Sequence, residues 1–318
     1  MEETVNKKEK YRRFCETEIS VPIFSRDWWL DAVCGENNWN VVVIEKGGEI
    51  VASIPYILRK KHFFTICDMP HLTQTLGPWI KTSEAKYAKQ LSNQKKLMYE
   101  LIRQLPRFDH FAQNFHYSVP NWLPFYWNGF EQTTRYTYVI DDLGSEKTLW
   151  NELLQNIRTD IKKAENRFNL IIKTDIDIDT FLNINESTFA AQKKKLPYSR
   201  DLVKRIENIC IDKHCRKIFY AQDKDEKIHA AVYIIWDANS AYYLMGGGDP
   251  SLRKSGATSL CIWEAIKFSS TVTQKFDFEG SMIEPVERFF RAFGAKQMPY
   301  LRISKTNSRL LKILKAIT

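Results

Sequence analysis

No stretch of this 318-residue chain approaches the roughly 20 apolar residues that a membrane-spanning helix needs. Its opening, MEETVNKKEKYRRF, is charged and has no apolar core, so no signal peptide is expected. The six cysteines (Cys15, Cys34, Cys67, Cys210, Cys215, Cys261) include no CxxC pair and form no framework. Free thiols and a cytoplasmic location are therefore expected. The cluster Cys210 to Cys215, with His214, matches no zinc spacing, and no metal site is expected. A G-x-S-x-G nucleophile elbow is also missing, and the six histidines are scattered. Covalent catalysis through a serine thus has no signature here. Sustained heptads are absent too, which excludes a long coiled coil. Glycine is sparse at 12 residues, yet three of them stand together at Gly246-Gly247-Gly248.

What is present is a folded, basic chain. With 44% hydrophobic and 13% aromatic residues it can bury a core, and its length suits two domains. Its net charge of +9 favours a polyanionic partner: a phosphorylated nucleotide, tRNA or anionic lipid. Asp141-Asp142-Leu143-Gly144-Ser145 reads as the boundary, giving domains 1–140 and 141–318.

The most informative stretch runs from Lys227 to Gly294. Two β-rich runs, KIHAAVYIIW and AYYLM, flank the turn Asp237 to Ser240. A loop of three glycines and Pro250 follows, then an apolar helix from about Gly256 to Ser270. Next come a short strand, Lys275 to Glu279, and a helix with Pro285 at its start and Gly294 as its stop. Val286, Phe289, Phe290 and Phe293 keep one helical face. A helix N-terminus reached through small residues presents free N–H groups to phosphate. Arg253, Lys254, Ser255, Gly256 and Ala257 stand there.

This order of elements, with RKSGAT and DFEGS…RFFRAFGAK, resembles the GNAT acyltransferase superfamily. More narrowly it resembles the Fem-type peptidoglycan aminoacyltransferases and their BioF2-like relatives. The superfamily's pyrophosphate pattern, [QR]-x-x-G-x-[GA], falls on Arg253, Gly256 and Thr258, the last departing from it. The resemblance implies an α/β (α+β) chain of two tandem GNAT-like domains, with mixed, mostly antiparallel sheets flanked by helices. It also implies direct N-acyl transfer without a permanently bound cofactor. The co-substrate would be acyl-CoA or aminoacyl-tRNA, and the acceptor a phosphorylated cell-wall precursor held in a basic cleft. A catalytically inert GNAT-like module binding a nucleotide-sugar or an anionic ligand is the alternative.

Elsewhere the pattern fills in this frame. Residues 1–18 read as a loose polar lead-in, and Ile23 to Cys34 as a helix capped by Ser25. Trp39 to Ile44 and Glu49 to Leu58 read as a hairpin, with Pro55 marking an edge, bulge or break in pairing. EIVASIPYI (49–57) aligns without gaps on KIHAAVYII (227–235), which points to a duplicated unit. The aromatic segment Trp122 to Phe130 reads as packing between domains. From Ser145, apolar positions Leu149 to Phe168 describe one long helix. Leu310, Leu311, Ile313, Leu314 and Ile317, with Arg309, Lys312 and Lys315, read as a helix docked on its own domain, with a short membrane-surface helix and peripheral membrane contact as the alternative.

Direct acyl transfer needs positioning, oxyanion stabilisation and a proton acceptor. Asp277 and Glu279 lie two apart on a strand and so face one way, which makes them candidates for the base. Arg253 to Ala257 is the candidate donor site. A basic set (Arg158, Lys162, Lys193 to Lys195, Arg302 and Lys305), with Tyr198 and Tyr243, supplies candidates for substrate contact. Lys305 is also counted with the carboxylates as a catalytic candidate.

Overall fold

A computed structural model describes residues 2–317, with side chains from Lys7 to Lys315. In chain order the elements are α1 (Glu2–Thr17), α2 (Asp27–Cys34), β1 (Trp39–Lys46), β2 (Glu49–Lys61), β3 (Phe64–Cys67), β4 (Trp79–Ile80), α3 (Tyr87–Gln104), β5 (His110–Asn114), α4 (Leu123–Trp127) and β6 (Glu131–Ile140). There follow α5 (Glu146–Glu152), α6 (Gln155–Asn166), β7 (Ile171–Lys173), α7 (Ile178–Ala191), α8 (Arg200–Asp212), β8 (Arg216–Gln222), β9 (Ile228–Trp236), β10 (Ala241–Gly248), α9 (Ala257–Ser269), β11 (Phe276–Asp277), α10 (Glu284–Arg291), β12 (Lys296–Thr306) and α11 (Arg309–Ile317).

The chain forms two compact units, residues 1–135 with 299–318, and residues 136–298. The last twenty residues thus fold with the first unit, although sequence order had assigned them to the second. The reason is pairing: Arg302 to Thr306 of β12 lie antiparallel to His110 to Asn114 of β5. The expected boundary at 140/141 moves likewise, because Ile140 and Val139 of β6 pair with Phe276 and Asp277 of β11.

In the first unit β1, β2 and β3 are antiparallel neighbours, and β5 lies parallel to β3. The β1–β2 hairpin turns at Gly47-Gly48, both at positive φ, as a two-residue turn requires. Pro55 sits opposite Val41 on the β1 side. On its other side β2 pairs only at Ala52–Ser53 with β4 and at Leu58–Lys61 with β3. Pro55 therefore falls in a gap in the pairing, where its missing N–H costs nothing. The lead-in is helical rather than loose: α1 turns Tyr11 and Cys15 inward, and the Tyr11 hydroxyl donates to the Ser25 carbonyl at 2.7 Å. With few apolar residues in its sequence, α1 shows no periodic signal and is held by its partners. Ser25 does not cap α2; it closes a separate 3₁₀ turn, and α2 starts after Arg26. The aromatic segment packs within the first unit, where Phe125 meets Phe115 at 5.0 Å and Phe130 at 5.2 Å.

The second unit repeats the plan, with β8, β9 and β10 antiparallel and β11 parallel to β10. The helix expected from Ser145 is two helices. Ser145 does cap the first, through its Oγ to the Thr148 N–H. Leu153 and Leu154 are then extended, and the Leu154 N–H donates to the Ala292 carbonyl at 2.9 Å. Leu149, Leu153, Ile157, Ile161 and Ala164 all enter one core, so a helical period crosses the break unseen. Phe290 and Phe293 are buried in this core, with Val286 and Phe289 packed against it, as their spacing predicts.

Candidate functional site

The site grows from the way β10 ends. Gly246 to Gly248, expected as a loop, are the last residues of β10 and pair with Val232 to Ala230 of β9. Their lack of side chains lets α7 settle directly on the strand: a Cβ on Gly247 would meet Asn185 Cα at 2.7 Å. Asn185 Nδ2 donates to the Gly246 carbonyl at 2.7 Å, and the Gly248 N–H donates to Thr188 Oγ1 at 2.8 Å. A register shift between Tyr243 and Met245 re-aims this stretch.

β10 and β11 pair at only two positions, Ala241 with Phe276 and Tyr242 with Asp277. Beyond them the two parallel strands part, leaving a fork. On one side stands Tyr243, its ring 5.5 Å from that of Phe290 and its hydroxyl in the space that Gly246 leaves open. On the other side the strand stops short of the predicted Glu279. Glu279 adopts φ 56 and Gly280 φ 65, a left-handed pair that is strained for the glutamate. Gly280 is obligatory, since a Cβ there would strike the Tyr136 carbonyl.

This turn brings two carboxyl groups together, by a route other than strand alternation. Asp277 is fully buried and accepts from the Thr137 hydroxyl and, at 2.8 Å, from the Glu279 N–H. Burial pushes its carboxyl up to about 7, against those two donors. Burial also raises Glu279 well above the usual range, and the neighbouring Asp277 charge adds to it. Glu279 Oε1 is buried with no hydrogen-bond partner among the described residues. Tyr198, near enough for the Glu279 charge to act on it, donates to Asn185 Oδ1 at 2.9 Å; burial pushes its hydroxyl up to about 12.

At the far end of β10, residues 249–256 lead into α9. Gly256 has φ 83, and a side chain there would run into the Asp160 carbonyl of α6. Ser255 is buried and its Oγ accepts from the Ala257 N–H at 3.3 Å, whereas Arg253 and Lys254 are exposed. A cavity of about 310 Å³ opens here, lined among others by Thr188, Gly248, Arg253, Ser255, Ala257 and Thr258. Glycine turn, helix N-terminus and cation together offer the N–H donors and positive charge that an anion needs.

Residues 151–281 match the acetyltransferase (GNAT) domain family, a span that contains the glycine strand, the α9 turn and both carboxylates. This part of the second unit is similar to the GNAT family. Over 92% of its length the chain shares the fold of FemX, at TM-score 0.65 and 10% identity, covering 95% of that chain. A conserved protein of unknown function from Bacteroides thetaiotaomicron aligns at TM-score 0.57 and 12% identity, over 95% and 97%. A tandem GNAT protein from the clavulanic acid biosynthesis pathway aligns at 0.50 and 13%, over 96% and 95%. No curated protein matches the sequence. At these identities the structural neighbours share a fold, of Fem-type and tandem GNAT form.

The remaining sequence candidates are distributed differently. Arg158 donates to the Asn151 carbonyl at 3.2 Å and to Gln155 Oε1 at 3.1 Å, tying α5 to α6. Lys162 and Lys193 to Lys195 are exposed, and Lys193 terminates α7 at φ 56. Arg302 and Lys305 belong to the first unit. Lys305 donates to the Asn128 carbonyl at 2.7 Å and lies 5.1 Å from the centre of the Phe130 ring. Asn185, Thr137 and Thr188 escaped the sequence reading. Each sits among other polar residues of an ordinary helix or strand, and only the fold brings it to the glycine strand or to Asp277.

Proposed function

We propose that the second unit is an N-acyltransferase that takes an acyl group from acyl-CoA to an amine. The observation that carries this reading is the fork between β10 and β11, with an anion-binding corner at the far end of β10 and a buried carboxyl pair inside. The α9 turn, with Arg253 and the Ala257 end of the helix, holds the donor's pyrophosphate. The acyl arm lies along β10 toward the fork. There the amine nitrogen attacks the thioester carbonyl, the C–S bond breaks, and the thiolate leaves with CoA. The proton released by the amine passes to Glu279, whose unpartnered Oε1 and raised affinity for a proton suit a general base. Asp277 holds the Glu279 backbone and keeps the pair's negative charge in reserve. Tyr198 and Tyr243 flank the acceptor. The Fem-type resemblance supports a phosphorylated cell-envelope precursor as acceptor, with aminoacyl-tRNA as the rival donor.

The test is a thermal-shift and turnover series on the whole chain. Acetyl-CoA and longer acyl-CoAs raise the melting temperature, and Arg253→Ala removes most of the rise. Thiol release with amine acceptors, including a UDP-linked muropeptide precursor, falls about 10²- to 10⁴-fold in Glu279→Gln. If acyl-CoA neither binds nor turns over while aminoacyl-tRNA is consumed, the donor assignment fails and the Fem-type donor replaces it. Binding of a ligand without turnover of any acyl donor leaves the inert module that Thr258, departing from the pyrophosphate pattern, favours.

A further inference from the structure

One end of the first unit's sheet carries a surface that acyl transfer does not use. β3 and β5 begin at this end and β12 finishes there: the Thr65 N–H donates to Asp109 Oδ2 at 2.7 Å, and the Asn307 N–H to the Asp109 carbonyl at 2.8 Å. From it project the β2–β3 tip, Lys61-His62-Phe63, and helix α11. Phe63 is 69% exposed. On α11 the residues Leu310, Ile313 and Leu314 are 48%, 57% and 46% exposed, and their i, i+3, i+4 spacing makes one apolar stripe.

Cations lie at the same end, Arg309 on the border of that stripe and Lys312 on the far side of α11. Lys61, Arg107, Arg309 and Lys312 are exposed, and Lys315 reaches back to the His110 ring at 2.9 Å. A cavity of about 540 Å³ opens at the same end, with Arg107, Phe108 and Lys305 in its wall. The carboxylate in that wall, Asp109, is already engaged by the Thr65 N–H. An apolar stripe on a helix that also carries Lys and Arg has the composition of one that lies in a membrane interface. Two copies of so positive a face would repel each other, whereas anionic headgroups neutralise it.

We propose that this face docks on a bilayer containing anionic phospholipid. Phe63, Leu310, Ile313 and Leu314 enter the boundary between headgroups and acyl chains. Lys61, Arg107, Arg309 and Lys312 meet the headgroup phosphates. No helix of the described residues is long and apolar enough to cross the membrane, so the attachment is peripheral and reversible.

The whole chain is sedimented with vesicles of phosphatidylcholine alone or with about one third phosphatidylglycerol, without any acyl donor, so the result is independent of catalysis. Binding is expected to the anionic vesicles, at least about tenfold tighter than to the neutral ones, and to weaken as salt rises. Ile313→Gln and Phe63→Ser each lose about tenfold, and Lys312→Glu about fivefold or more. All three sites are exposed, so circular dichroism and melting stay as in the parent protein. Equal partition to both vesicles, no binding to either, or unchanged binding by Ile313→Gln and Phe63→Ser overturns the proposal. So does a concentration-dependent dimer that the same two variants abolish.

Discussion

The two units follow one plan and differ where the plan could hold a ligand. Each has three antiparallel strands, a helix, and a fourth strand parallel to the third. The aligned segments 49–57 and 227–235 are the middle strands β2 and β9, so the duplication seen in sequence has a counterpart in topology. In the second unit β10 reaches α9 through residues 249–256 and the left-handed Gly256. In the first, β3 reaches α3 through residues 68–86, and the helix begins after Lys86 with no side-chain cap.

The longer connection changes what the fork becomes. Leu76 folds back beside β5, its N–H donating to the Asn114 carbonyl at 2.7 Å, and it bridges Phe115 in parallel. Gly77, at φ 93, follows it against the Phe115 ring. The first fork is thus filled with its own chain. By register from the last pair before each fork, Phe111 stands where the second unit has Asp277, and Gln113 where it has Glu279. Gln113 is buried and donates to the Pro55 carbonyl at 2.8 Å. The two units share one sheet plan, and a buried carboxyl pair stands at the fork in one of them.

The sharpest way to break this contrast is at Gly256. Gly256→Ala places a Cβ on the Asp160 backbone at a φ that L residues avoid, so neither part can yield cheaply. A loss of roughly 3 kcal/mol or more in urea unfolding is expected, with donor binding abolished. The exposed Gly47, which has open space around its Cβ position, serves as the control: Gly47→Ala costs about 1 kcal/mol.

Asp277 provides the next test. Its carboxyl holds a proton up to about pH 7 in the folded chain but only to about 4 when unfolded. Between those values the folded state binds more protons, so this group makes stability fall as pH rises from about 4 to 7. The integrated effect is on the order of 4 kcal/mol. Asp277→Asn keeps an acceptor for Thr137 and Glu279 and removes that slope, which pH-dependent melting measures. Activity runs the other way, because a base must be ionised. kcat/KM therefore climbs through the raised carboxyl range rather than near pH 4.

Smaller effects belong to the anion corner. Arg253→Ala weakens acyl-CoA binding about tenfold by titration calorimetry and leaves unfolding unchanged, since the side chain is exposed. Thr258→Ala restores the small residue of the superfamily pattern in the cavity wall and tightens donor binding by about two- to fivefold. A Thr258→Ala that weakens binding would show that the threonine hydroxyl itself contacts the donor.

Much of this was readable from the amino acids alone. Continuous apolar runs marked β9 and α9, which are buried nearly all round, and periodicity marked the Phe290 face of α10, which turns one stripe into the core. Ser145, Pro285 and Gly294 marked helix ends, since capping is a local property of a few residues. The family-like run from Arg253 to Ala257 marked the turn into α9 for the same reason. What the chain did not announce depended on distant partners. Nothing within α1 signals a helix held by Tyr11 and Cys15, and nothing near Leu153 signals that Leu154 will pair with Ala292 between α5 and α6. Asp277 and Glu279 appeared as neighbours on a strand, but the strand stops between them. Their meeting depends on Tyr136 and Thr137, which come from the other half of the sequence. Lys305 looked like a companion to those carboxylates in composition, yet β12 carries it into the first unit. Local sequence determined the elements and their ends, because these follow from spacing and backbone preference. Tertiary structure decided which fork its own chain fills and which carboxyls are buried beside the other, because burial and close approach are set by residues far away in the chain.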